Sequence, residues 1–157
     1  MYLRGQCFCS SVQFEIVQMK ALAQTLCHCE SCRRSHSTAS LACMTFPIKL
    51  EDGKSADSEG KLRIVKGEDK LKLYHHTPNS YSRRYLCKEC GAHVFNSIPG
   101  MGMVTTFPTV FGGAVDFKPD FHVNYGEKIF AVRDGLPKYK GFMGSERLDD
   151  DGQPIAV

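Results

Sequence analysis

Eight cysteines stand at positions 7, 9, 27, 29, 32, 43, 87 and 90 of the 157-residue chain, and all but Cys43 fall into three tight groups. These are Cys7-Phe8-Cys9, Cys27-His28-Cys29-Glu30-Ser31-Cys32 and Cys87-Lys88-Glu89-Cys90. At about 5% of the chain they fall short of the roughly 8–10% that marks a small disulfide scaffold. The stretch Met1 to Ser11 has no apolar run of the length a secretory signal needs, so a cytoplasmic protein with reduced thiols is expected. In that setting clustered cysteines are metal ligands or redox groups before they are structural bridges.

Zinc bound by four thiolates sits about 2.3 Å from each sulfur, so the sulfurs lie roughly 3.8 Å apart and their side chains must converge. In a CxC pair on extended backbone both side chains project from one face. In CxxC a tight turn brings the two sulfurs together, and Gly91 after Cys90 can adopt the left-handed conformation such a turn often needs. Structural zinc sites take four protein ligands, whereas catalytic ones take three and keep a position open. Pairing Cys7 and Cys9 with Cys87 and Cys90 gives a closed site, and leaves Cys27, Cys29 and Cys32 as three thiolates on one short loop with an open side. Thiolate ligands weaken the ion as a Lewis acid towards water and suit a soft fourth partner, so a thiol-bearing small molecule, held ionised as a nucleophile, is the expected guest. Two alternatives stay open for the second group: a closed structural site completed by His28 or His36, or a redox thiol pair.

Other residues carry weaker signals. His28 lies between two ligand positions and on extended backbone points away from the metal, as a supporting or surface side chain. Cys43 sits in a strand pattern beside Leu41 and reads as core. Arg33 and Arg34 follow the open group, and Arg83 and Arg84 precede the CxxC; any of them could grip a substrate carboxylate, with surface charge the plain alternative. His75-His76 reads as exposed and inert, and Phe107, Phe111 and Phe117 as core packing.

The elements that must position these groups read as β. Val12, Phe14 and Ile16 alternate with Gln13, Glu15 and Val17, and further short strand signals lie at Leu41 to Leu50, Leu62 to Val65, Leu71 to Tyr74, Ala92 to Phe95 and Met103 to Phe107. No stretch shows helical periodicity over three turns. Glu51 to Lys61 reads as a solvated loop, turns are expected at Thr77 to Ser80, Pro99-Gly100 and Gly112-Gly113, and the polar residues from Gly144 as a poorly ordered tail. The length and 42% hydrophobic content suit one domain. A net charge of +3 gives no basic bias towards nucleic acid, and no apolar run is long enough to span a membrane.

The order Gly5-x-Cys7-x-Cys9, Val12-x-Phe14, Cys27-His28-Cys29-x-x-Cys32-Arg33 and Leu86-Cys87-x-x-Cys90-Gly91 resembles the glutathione-dependent formaldehyde-activating enzyme family, which also includes centromere protein V. Pro119-x-x-His122 and Asp134-Gly135-Leu136-Pro137 extend the resemblance over roughly residues 3 to 142, with 143–157 left as the polar tail. The resemblance implies a mostly β fold of zinc-organised antiparallel sheets, the β-tent type, in a single domain. It implies a structural zinc on Cys7, Cys9, Cys87 and Cys90 and a catalytic zinc on Cys27, Cys29 and Cys32, with Arg33 as the substrate contact. The implied activity is carbon–sulfur lyase chemistry on S-(hydroxymethyl)glutathione. The family commonly has Gly where this chain has Ser10, and Gly-Ser where it has Ala39-Ser40. Alternatives are a lyase acting on another small thiol adduct and a non-catalytic zinc-organised binding module.

Overall fold

The computed structural model describes residues 1–51 and 60–156. In chain order the strands are β1 (Tyr2–Gln6), β2 (Gln13–Val17), β3 (Ala23–Cys27), β4 (Leu41–Phe46), β5 (Leu62–Lys66), β6 (Leu71–Tyr74), β7 (Arg83–Cys87), β8 (His93–Ile98), β9 (Met103–Thr106), β10 (Phe121–Val123), β11 (Lys138–Tyr139) and β12 (Arg147–Leu148), with helix α1 (Glu30–His36) after β3. The fold is mostly β. The described residues gather in two compact units, one of Met1–Leu22 and Met44–Asp116, the other of Ala23–Cys43 and Phe117–Val157.

In the first unit β1, β2 and β5 form a three-stranded sheet with β2 in the middle, and the second half of β4 is followed in order by β9, β8, β7 and β6. Every pairing in this unit is antiparallel. Alternation along β2 decides its inward face: Val12, Phe14 and Ile16 are fully buried. Phe14 meets Phe95 edge-on with ring centroids 5.3 Å apart and Phe111 at 5.7 Å, and Phe107 and Phe111 belong to the core as expected, whereas Phe117 is only half-buried. On the other face of β2, Glu15 stands in register with Arg4 on β1 and Arg63 on β5, one oxygen 2.5 Å from Arg4 Nη2 and the other 2.6 Å from Arg63 Nη2.

The hydrogen bonds from Arg4, then those from Arg63, hold the Glu15 carboxyl below the usual range. A depressed folded-state pKa contributes stability that is present above the unfolded value, about 4.3, and lost as pH falls through the folded value. The melting temperature is therefore expected to drop on acidification below about pH 4. Glu15→Gln should flatten that part of the profile in a thermal melt series, and an unchanged acid slope would count against the account.

The second unit orders its strands β12, β11, β10, β3. Here the antiparallel expectation needs correcting: β10 runs parallel to both β3 and β11, while β11 pairs antiparallel with β12. Parallel neighbours need a long crossover connection, and nearly a hundred residues separate β3 from β10. The residues from Gly144 are not a loose tail. They carry β12, bury Leu148, and end a hydrogen bond from Tyr125 Oη to the Asp150 carbonyl at 2.6 Å.

Each strand read from the sequence has a counterpart, although the one expected over Leu41 to Leu50 ends at Phe46. The ones it gave no warning of, such as β3 (Ala-Gln-Thr-Leu-Cys) and β7 (Arg-Arg-Tyr-Leu-Cys), lack a run of alternating apolar residues. The proposed loop at 51–61 falls largely on residues outside the described ones. The turn at Thr77 to Ser80 is closed by Ser80 N–H donating to the Thr77 carbonyl. Gly67 was not anticipated. Its φ is +76°, and a Cβ there would run into the backbone carbonyl of Ser11, beside the first cysteine pair. Gly67→Ala is expected to destabilise the protein by about 3 kcal/mol or more, from left-handed strain plus overlap with backbone that cannot move aside; a melting temperature within a degree or so of the parent's would contradict this.

Candidate metal centres

Cys7, Cys9, Cys87 and Cys90 come together in the first unit, with one sulfur from each within 4.8 Å of all the others. Cys7 Sγ is 3.7 Å from Cys9 Sγ, and Cys9 Sγ is 3.9 Å from Cys87 Sγ, close to the roughly 3.8 Å of a tetrahedral thiolate site. The donor set and spacing fit a closed zinc site. β1 delivers Cys7 into a turn in which Ser10 N–H donates to the Cys7 carbonyl at 3.2 Å and Val12 N–H to Cys7 Sγ at 3.3 Å. The CxC pair thus converges through a turn, not along extended backbone. Ser10 has φ +64°, the conformation for which Gly is the usual choice, so a left-handed position exists there and a serine occupies it. At the other pair, Gly91 has φ +75° and donates to the Cys87 carbonyl at 2.8 Å, the turn the CxxC spacing requires.

Backbone and neighbours split the acidities of these thiols. The Ser11 side chain and then its N–H lower Cys9 to about 6, whereas burial pushes Cys87 up to about 11. Burial also raises Cys90, but the N–H groups of Ala92 and Cys9 outweigh it and the net direction is down.

Cys27, Cys29 and Cys32 meet in the second unit, again with their sulfurs mutually within 4.8 Å. Among the described residues no further histidine, cysteine or carboxylate joins this group, so neither His28 nor His36 completes it. The three cysteines are not on a simple loop. Cys27 ends β3, Cys29 is the N-cap of α1, and Cys32 lies in the first turn of the helix. Cys29 Sγ accepts the Cys32 N–H at 3.3 Å, so the sulfur that offers itself to a metal also starts the helix. α1 has only seven residues, too few to show a period, and ends with Ser37 left-handed and Thr38 N–H on the Arg33 carbonyl. Cys27 is buried while Cys29 and Cys32 are half-exposed, which leaves the group approachable from one side.

Crowding raises the Cys27 and Cys32 thiols above their ordinary value. Hydrogen bonding to the Cys29 sulfur does so for Cys27, and to the Cys27 and Cys29 sulfurs for Cys32. Three sulfurs this close are costly as bare thiolates and favourable around a cation, so the donor set fits a soft divalent metal. Asn124 Nδ2 donates to Cys27 Sγ at 3.4 Å, a contact to which the sequence gave no pointer.

Behind this group lies a buried polar chain. His28 Nε2 is 2.8 Å from His122 Nδ1, and His122 Nε2 is 2.7 Å from Asp134 Oδ2. Lys138 Nζ contacts Asp134 Oδ1 at 3.0 Å and Asp150 Oδ1 at 2.9 Å. His28, His122, Lys138 and Tyr125 are buried, with the Tyr125 ring edge-on to His28 at 4.9 Å. Burial and then the neighbouring His122 hold His28 down at about 4, a neutral imidazole. Burial raises Asp134, but hydrogen bonds from His122, Leu136 N–H and Lys138 take it down to about 2. His28 therefore points away from the sulfurs as expected, into the interior and not to the surface.

Arg33 Nε donates to the His28 carbonyl at 2.9 Å, which ties its side chain to the ligand loop. Arg34 pairs with Glu30 on the exposed side of α1, and Arg84 is buried in β7. Cys43 is buried in β4 with its thiol raised chiefly by burial, and it joins neither cluster. His76 Nδ1 lies 3.3 Å from the Tyr74 hydroxyl in an exposed position.

Comparison with known proteins bears on what these centres belong to. No curated protein matches the chain significantly. Among solved structures, a Rhodobacter sphaeroides protein from structural genomics superposes with a TM-score of 0.54 at 19% identity, covering 71% of this chain and 90% of that one, a likeness of fold. The family model described as glutathione-dependent formaldehyde-activating enzyme matches residues 2–131, a span that contains both cysteine clusters. The chain belongs to the glutathione-dependent formaldehyde-activating enzyme family.

Proposed function

We propose that the protein is a zinc-dependent carbon–sulfur lyase that joins glutathione and formaldehyde to S-(hydroxymethyl)glutathione, or releases them from it. The observation that carries this reading is the three-cysteine group, whose sulfurs converge from β3 and α1 with two of the three cysteines half-exposed. In the joining direction the thiolate sulfur bonds to the carbonyl carbon, and the carbonyl oxygen takes up a proton to become the hydroxyl; the reverse breaks the same bond. Zinc bound there would supply the positive charge that keeps a guest thiol ionised near neutral pH.

The chain's own residues do the rest. Cys27, Cys29 and Cys32 hold the ion from one side, and Asn124 steadies the Cys27 sulfur. Arg33, anchored through Nε, keeps its other N–H groups for a substrate carboxylate. The group at Cys7, Cys9, Cys87 and Cys90 takes a closed, structural zinc. Glutathione as substrate fits a cytoplasmic protein.

Because the adduct also forms unaided, the test is the rate. Zinc-replete protein is expected to accelerate exchange between glutathione, formaldehyde and the adduct in proportion to protein concentration, and glutathione should raise its melting temperature. Exchange at the buffer rate would overturn the reading. Acceleration with another thiol but not with glutathione would keep the lyase and replace the substrate.

A further inference from the structure

We infer that His122 and Asp134 are positioning residues of the three-cysteine group, setting its metal affinity by locking His28 from behind. The inference rests on reading Cys27, Cys29 and Cys32 as a metal site. On extended backbone a residue and its two neighbours point to opposite sides, so pinning the ring of His28 on one side fixes where Cys27 and Cys29 aim on the other. The pinning is threefold. The ring Nε2 meets His122 Nδ1 at 2.8 Å, the backbone N–H donates to the Val123 carbonyl at 3.1 Å, and the carbonyl accepts Arg33 Nε at 2.9 Å.

Donor and acceptor accounting fixes the end of the chain at Asp134. An ionised Asp134 only accepts, so His122 Nε2 carries a proton towards it at 2.7 Å. The next proton lies between His122 Nδ1 and His28 Nε2, one nitrogen donating and the other accepting across 2.8 Å. Asp134 thus holds His122 by its Nε2 proton and, through the contact behind it, holds the His28 ring in place. Its other oxygen is occupied by Lys138 and by Leu136 N–H, which holds the carboxylate in place. Outer partners of this kind are worth roughly 10–100-fold in metal affinity when removed.

The experiment is a cobalt(II) titration of the full chain, followed by ligand-field absorption, for the parent, Asp134→Asn and His122→Asn. A packing control, Leu148→Ala, removes a buried apolar side chain of the same unit, cross-strand from Lys138, and leaves every hydrogen-bonding group of the polar chain in place. The first equivalent, at the four-cysteine group, should bind all variants alike. The second is expected to bind Asp134→Asn and His122→Asn about 10–100-fold more weakly with altered bands, and Leu148→Ala as tightly as the parent. If His122→Asn does not fold, Asp134→Asn, which keeps the shape of the side chain, carries the test. Unchanged affinity in Asp134→Asn, or an equal loss in Leu148→Ala, overturns the inference and leaves the three-cysteine metal site standing. A parent that takes only one cobalt overturns that site and this inference together.

Discussion

Cys87→Ala, or a chelator strong enough to strip the four-cysteine group, is expected to abolish cooperative folding of the unit built from Met1–Leu22 and Met44–Asp116. The group joins a turn after β1 to a turn between β7 and β8, nearly eighty residues apart in sequence, and two of its cysteines, Cys7 and Cys87, are almost completely buried. Without a cation the unit would hold four sulfurs against one another, with nothing to draw the two turns together. Structural zinc contributes on the order of 10–16 kcal/mol of apparent binding energy, as large as or larger than the 5–15 kcal/mol by which whole domains are stable. Circular dichroism and thermal melting in the presence of a zinc chelator measure the effect directly. The expected result is loss of the cooperative transition and its return when zinc is restored; an unchanged melt with the metal removed would show that strand pairing and the Phe14 core suffice.

The second large effect concerns chemistry with the fold preserved. On the proposed reading Cys29 has two tasks, as metal ligand and as N-cap of α1, and serine can perform only one of them. A serine hydroxyl is among the best helix caps but a poor ligand for a soft metal, so Cys29→Ser should keep α1 and empty the site of function. Adduct turnover is expected to fall more than 100-fold, beyond the roughly 10–100-fold typical of losing an outer partner of a ligand, with a melting temperature close to the parent's. Cys29→Ala should lose the cap as well, at about 1 kcal/mol. Turnover in Cys29→Ser at the parent rate would detach catalysis from this group.

Much of this was legible because metal ligands announce themselves by residue type and local spacing. Cys87-x-x-Cys90-Gly91 demanded a turn with a left-handed residue after it, and Gly91 supplies one. The division of seven cysteines into four and three followed from the ligand count alone, and both sets assemble. What stayed hidden was set by packing between distant segments. α1 is too short to show a period, and β3 and β7 are short strands without an alternating apolar run. The chain His28–His122–Asp134–Lys138 links residues as far as 94 positions apart, and only the family-like Pro119-x-x-His122 and Asp134-Gly135-Leu136-Pro137 hinted at it. Asn124 and Gly67 gave no hint at all, since one depends on a sulfur brought to it by β3 and the other on a carbonyl of a remote turn.

Metal content per chain, measured by elemental analysis before and after mild chelation, tests the division of labour between the two clusters. The account predicts two zinc ions, one of which leaves first while the protein stays folded, and a chain with Cys27, Cys29 and Cys32 all changed to serine that retains one. A single zinc that persists in that triple variant and was never accompanied by a second would contradict it.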